Sequence, residues 1–118
     1  MREMPYYIRS ECSGKSFVAV HAGYREDLLA DDLPEFYLYA REESVKSGGL
    51  SDGIVISGHT PTILRNEYAY AGGNVFRVED SEKKCVFYNI DCGCVFRSKY
   101  PSARLACIRV EDEKIIYI

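Results

Sequence analysis

Short apolar stretches that stop abruptly at small or polar residues punctuate this chain, and they restrict it to a fold built on brief strands. Residues 17–20, 53–57, 84–90, 104–110 and 114–118 are β-branched or aromatic runs bounded by Gly, Asp, Asn or Ser, the pattern of strands separated by turns. One segment has a different period. DDLPEFYLYAREES places Asp32 as a helix N-cap, Pro34 in the first turn, and Leu33, Phe36, Tyr37 and Ala40 on one side. A single helix ending near Ser44 is expected there. Gly48 with Gly49 and Gly72 with Gly73 mark loops, and residues 111–114 read as the turn of a C-terminal hairpin. No repeat or interior linker divides the sequence, so residues 1–118 are read as one α+β unit with mostly short strands.

Composition narrows the partners. A net charge of -3, with 28% charged and 47% hydrophobic residues, suits an ordinary globular chain. Nucleic acid and anionic membrane are met by clustered Lys and Arg, so neither is an expected partner. The start, MREMPYYIRS, has no apolar core of the signal-peptide kind, and no stretch approaches the roughly 20 apolar residues that span a bilayer. The cytoplasm is the expected compartment. Five cysteines (Cys12, Cys85, Cys92, Cys94, Cys107) are an odd number without CxxC spacing, which fits reduced thiols. Cys92 and Cys94 flank Gly93 and could pair with a metal or with each other, but plain packing is the preferred reading.

The chain's two histidines both follow apolar runs: His21 in FVAVHAGY and His59 in GIVISGHTPT. A strand end is rigid and opens into a crevice, which is where a metal ligand is best held. Imidazole suits Zn, Fe, Ni or Mn, and flanking glycines leave room for a small ligand. Each histidine taken singly reads more readily as a hydrogen-bonded core or turn residue; the repetition of the pattern favours a joint role. Two imidazoles are still fewer than the three protein ligands of a catalytic zinc-type site. Asp91, in FYNIDCG, follows a strand in the same way and could add a carboxylate, although, as one of 18 acidic residues, it reads strongly as a strand-end hydrogen-bond acceptor.

The segments VHAGY, LYARE, VISGHTPT, NIDCGCVF, LACIRVED and IIYI, in that order, resemble the C-terminal half of calcineurin-like metallophosphoesterases, in the phosphoprotein (serine/threonine) phosphatase branch with its bacterial members. The resemblance runs from about residue 4 to the end. It implies a partial mixed αββα fold, half of a two-sheet β-sandwich flanked by helices. It also implies that His21 and His59 bind the second ion of a dinuclear site and that Arg41, from the helical segment, contacts the substrate phosphate. The cofactors implied are two divalent ions (Mn, Fe or Zn) in the intact site. The activity implied is in-line phosphoester hydrolysis of a phosphorylated protein or a small phosphoester, with dinucleoside polyphosphates as an alternative substrate.

The family's GDxHG, GDxxDRG and GNHE segments, which supply the first ion's ligands and the general acid, are absent. No GD dipeptide occurs, and Asp52-Gly53 has the reverse order. The chain is thus expected to act as a C-terminal portion, to bind one ion weakly or none alone, and to hydrolyse little. Self-association or a complementary chain is expected to cover the faces left open. A non-catalytic phosphate-binding or assembly module that keeps the half-fold is the alternative. The stretch from Asn66 to Asp80, with Tyr68, Tyr70, Gly72 and Gly73, is the loop best placed to influence substrate choice, although it reads more readily as a flexible connection with partly buried tyrosines.

Overall fold

The computed structural model describes residues 5–27, 34–64 and 71–118. Asp32 and Leu33 of the expected helix start, and Tyr68 and Tyr70 of the loop, lie outside the described residues. Strands β1 (Tyr7–Cys12), β2 (Lys15–Val20), β3 (Gly53–Ser57), β4 (Phe76–Asp80) and β5 (Cys85–Asn89) form one sheet in the order β1-β2-β3-β5-β4. β2, β3 and β5 run parallel, and β1 and β4 close the two edges antiparallel. β6 (Ala106–Arg109) and β7 (Lys114–Tyr117) form the C-terminal hairpin as a separate two-stranded sheet.

The parallel centre follows from composition. β3 reads GIVIS, and its first four residues are buried, as expected of a strand covered on both faces. Val55 packs with Val18, Val20, Tyr24, Tyr37, Leu50, Cys85 and Phe87. Ile54 and Ile56 turn the other way and pack with Tyr88, Phe17, Ile108 and Ile115. The alternation of side chains along a strand thus splits one apolar run between two cores, one toward the helical segment and one toward the hairpin. Polar contacts fasten the hairpin turn to the sheet. Glu113 accepts from the Tyr88 hydroxyl at 2.7 Å and from Lys15 Nζ at 3.0 Å, and Arg77 Nε donates to the same hydroxyl at 3.1 Å.

The single helix expected up to Ser44 is instead two short ones, α1 (Pro34–Tyr39) and α2 (Glu43–Lys46). The reason is not local. The amide of Ala22 donates to the carbonyl of Tyr37 at 2.9 Å, so an acceptor that would continue the helix is turned toward the segment after β2. Residues 40–42 form the bend between the helices. Gly23 allows this approach, since a Cβ there would lie 2.9 Å from Ala40 Cβ and from Phe36 Cε1. β1 and β4 are strands beyond those expected. Both lie at sheet edges with half-exposed patterns, and their charged residues mask the apolar alternation. Among the described residues no helix is long and apolar enough to cross a membrane.

Leu50, 1% exposed, sits in the helix-side core, whereas Ile8 on edge strand β1 is 59% exposed. Leu50→Ala is expected to cost about 2–5 kcal/mol and Ile8→Ala about 0.5 kcal/mol or less, measured by urea unfolding. Equal losses would contradict this assignment of the core.

Candidate functional site

Three parallel strands end side by side, and each is followed by a polar residue of interest. His21 is the first residue after β2, His59 the second after β3, and Asp91 the second after β5. The β2–β3 register pairs Ala19 with Ile56, and the same alignment carries on past the strands: Gly58 N–H donates to the carbonyl of His21 at 2.9 Å. Ligand-binding groups in open α/β sheets collect at such carboxyl ends.

The two imidazoles meet there. His21 Nε2 lies 3.0 Å from His59 Nδ1, with ring centroids 4.8 Å apart and planes inclined at 61°. His21 is exposed and His59 half-buried. His59 has φ of +70°, a left-handed conformation uncommon outside glycine but one that histidine visits more readily than most side chains. The Tyr39 ring stands edge-on to His59 at 6.1 Å. Burial, followed by the charges of His21 and Arg41, holds the His59 imidazole below its ordinary pKa, with Asp91 opposing them. A neutral His59 is thereby favoured near pH 7, the form that binds a metal ion.

Arg41, at the bend between α1 and α2, donates from Nη1 to Thr60 Oγ1 at 3.4 Å. The helix break therefore places the guanidinium beside the loop that carries His59. Asp91 behaves as a strand-end acceptor, with Oδ1 receiving the Gly93 amide at 3.1 Å. Among the described residues no group of three or more His, Cys, Asp or Glu side chains is gathered to hold an ion. Cys92 is buried and Cys94 exposed, and both are free thiols.

Two residues of the site were not singled out from the sequence. Thr60 is 2% exposed and Asn89 4% exposed. Asn89 Nδ2 donates to the Thr60 carbonyl at 2.7 Å, and its Oδ1 accepts from the Asp91 amide at 3.0 Å. The available signal was one amide side chain inside the apolar run VFYNI, where an unsatisfied amide would be costly.

No family model, curated protein or solved structure matches the chain.

The depressed His59 value fixes a sign. The unfolded chain takes up a proton at the ordinary imidazole pKa of about 6.5, while the folded chain does so only at lower pH. The His59 contribution to stability is therefore present above about pH 6.5 and is lost as pH falls through the folded value. NMR titration of the ring is expected to give a midpoint below 6.5, and His59→Gln to flatten the stability profile across that window. A midpoint above 6.5 would contradict the environment described.

Proposed function

We propose that the chain forms the second-ion and phosphate-facing half of a metallophosphoesterase site, in a metal-dependent phosphoester hydrolase of the serine/threonine protein phosphatase type. The remaining ligands would come from another polypeptide segment. The convergence of His21 Nε2 and His59 Nδ1 to 3.0 Å, at the ends of adjacent parallel strands, carries this reading. Two imidazoles on one tetrahedral ion, with bonds of about 2.0–2.1 Å, put their nitrogens about 3.3 Å apart. The observed separation is close to that value. To hold an ion, the nitrogen that donates in the present hydrogen bond would pass its proton to the ring's other nitrogen and both rings would turn toward the ion. The two donors suit Zn, Fe or Mn.

An ion held by His21 and His59, with a second one alongside, would supply Lewis-acid charge stabilisation and lower the pKa of the attacking water. The chain's own contribution is orientation. Arg41 has five N–H donors, and the Thr60 contact engages one nitrogen, so the planar fork can still span two phosphate oxygens. The strand ends hold the imidazoles, and the bend between the helices brings the guanidinium to Thr60, next to His59. Substrates in this reading are phosphorylated proteins or small phosphoesters, with dinucleoside polyphosphates as the alternative, and the cytoplasm is the proposed compartment.

The surface beside His21 supports an added chain. A groove of about 600 Å³, lined by Tyr6, Ile8, Val20, His21 and Leu38 among others, runs to the exposed imidazole. Strand β1 forms the sheet edge there, and an unpaired edge is a template for another strand. A complementary chain or a second copy that seats on it would bring its groups to His21. The absence of a third ligand beside the pair among the described residues favours, as a second reading, a phosphate-binding or assembly module without catalysis.

The isolated chain is expected to bind Zn(II) weakly in calorimetry, to lose that binding in His21→Ala and His59→Ala, and to leave p-nitrophenyl phosphate intact with added Mn(II). Zinc binding that survives both substitutions would sink the proposed ion site. Turnover that His59→Ala abolishes would instead show that the chain needs no partner.

A further inference from the structure

We propose that Asn89 is the positioning residue that locks the imidazole pair and Arg41 into one arrangement; this rests on the metallophosphoesterase-type reading above. Asn89 ends β5, where it pairs with Ser57, the last residue of β3. Its amide reaches forward from one strand into the loop that follows the other. Nδ2 binds the Thr60 carbonyl at 2.7 Å while Oδ1 takes the Asp91 amide at 3.0 Å. One buried side chain thus joins the loops after β3 and β5.

The consequences pass through Thr60 in two directions. Toward the histidines, the Thr60 amide donates to the Gly58 carbonyl at 2.8 Å, and the Gly58 amide donates to the His21 carbonyl at 2.9 Å. His59 is gripped on both sides, by β2 through Gly58 and by β5 through Thr60 and Asn89. That grip explains how a histidine keeps φ at +70° with its ring turned to His21. Toward the phosphate side, Thr60 Oγ1 receives Arg41 Nη1 at 3.4 Å. An apolar residue at position 89 would fill the same buried space but leave the Thr60 carbonyl without its donor.

The test uses Asn89→Ala and Thr60→Val in the full chain, with three readouts: Zn(II) affinity by chelator competition, the side-chain ¹⁵N spectra of His21 and His59, and inorganic phosphate binding in the presence of Zn(II). Asn89→Ala is expected to weaken Zn(II) binding about 10- to 100-fold, the usual effect of losing a group that orients a metal ligand. It should also remove the ring-to-ring coupling from the ¹⁵N spectra, even without metal. Thr60→Val should keep that coupling and the Zn(II) affinity while weakening phosphate binding. A folded Asn89→Ala protein with native ring spectra and native Zn(II) affinity would overturn the proposal. If Asn89→Ala does not fold, Asn89→Ser, whose hydroxyl is too short to span to Thr60, is read by the same criteria. Should the native chain bind no Zn(II), the metal reading fails, while the metal-free ring spectra of the variants still decide the role of Asn89.

Discussion

Everything in the site depends on the parallel pairing of β2, β3 and β5. Parallel strands buried on both faces place their carboxyl ends at one rim, and here each end releases a polar residue just beyond the last ladder bonds. The apolar run of β3 secures this arrangement, because Val55 belongs to one core and Ile54 with Ile56 to the other. A slip of one residue would exchange those faces and carry His59 away from His21. Register, set by burial, thereby becomes the spacing between two imidazoles.

The energetic order is equally informative. Hydrophobic burial supplies the general driving force, at about 1.5–3 kcal/mol for each large aliphatic side chain fully removed from water. Salt bridges such as Lys46–Glu42 and Arg109–Asp112 are solvent-exposed, and pairs of that kind contribute about 0–1 kcal/mol. At the proposed site lie the left-handed His59, the diverted carbonyl of Tyr37 and the buried amide of Asn89, while Ser13, Asp52, Lys84 and Glu113 adopt positive φ in turns elsewhere.

That separation explains what was legible in the sequence. β3 was readable because its apolar run is buried, the C-terminal hairpin because β-branched and aromatic residues flank its polar turn even though β7 is mostly exposed, and the loops carrying His21 and His59 stand at strand ends as their sequences suggest. β1 and β4 were not, since an edge strand exposes residues such as Arg9, Glu11, Arg77 and Glu79 and loses its apolar signature. The break after Tyr39 was also hidden, because the competing donor, Ala22, lies in a segment remote in sequence. Arg41 owes its place beside Thr60 to that break. Asn89 could be noticed as a polar interruption, but its purpose required the Thr60 carbonyl to be located in space. The resemblance pointed to His21, Arg41 and His59; in the fold the two imidazoles meet beyond β2 and β3, and Arg41 reaches Thr60 from the bend between the helices.

The central claim is that His21 and His59 together hold one ion. Its most direct test is the crystal structure of the chain soaked with Zn(II), with the ion located by anomalous scattering. The account predicts a single peak bonded to His21 Nε2 and His59 Nδ1 on the side that faces Arg41. Ions bound only elsewhere, or imidazoles that remain hydrogen-bonded to each other at saturating Zn(II), would contradict it.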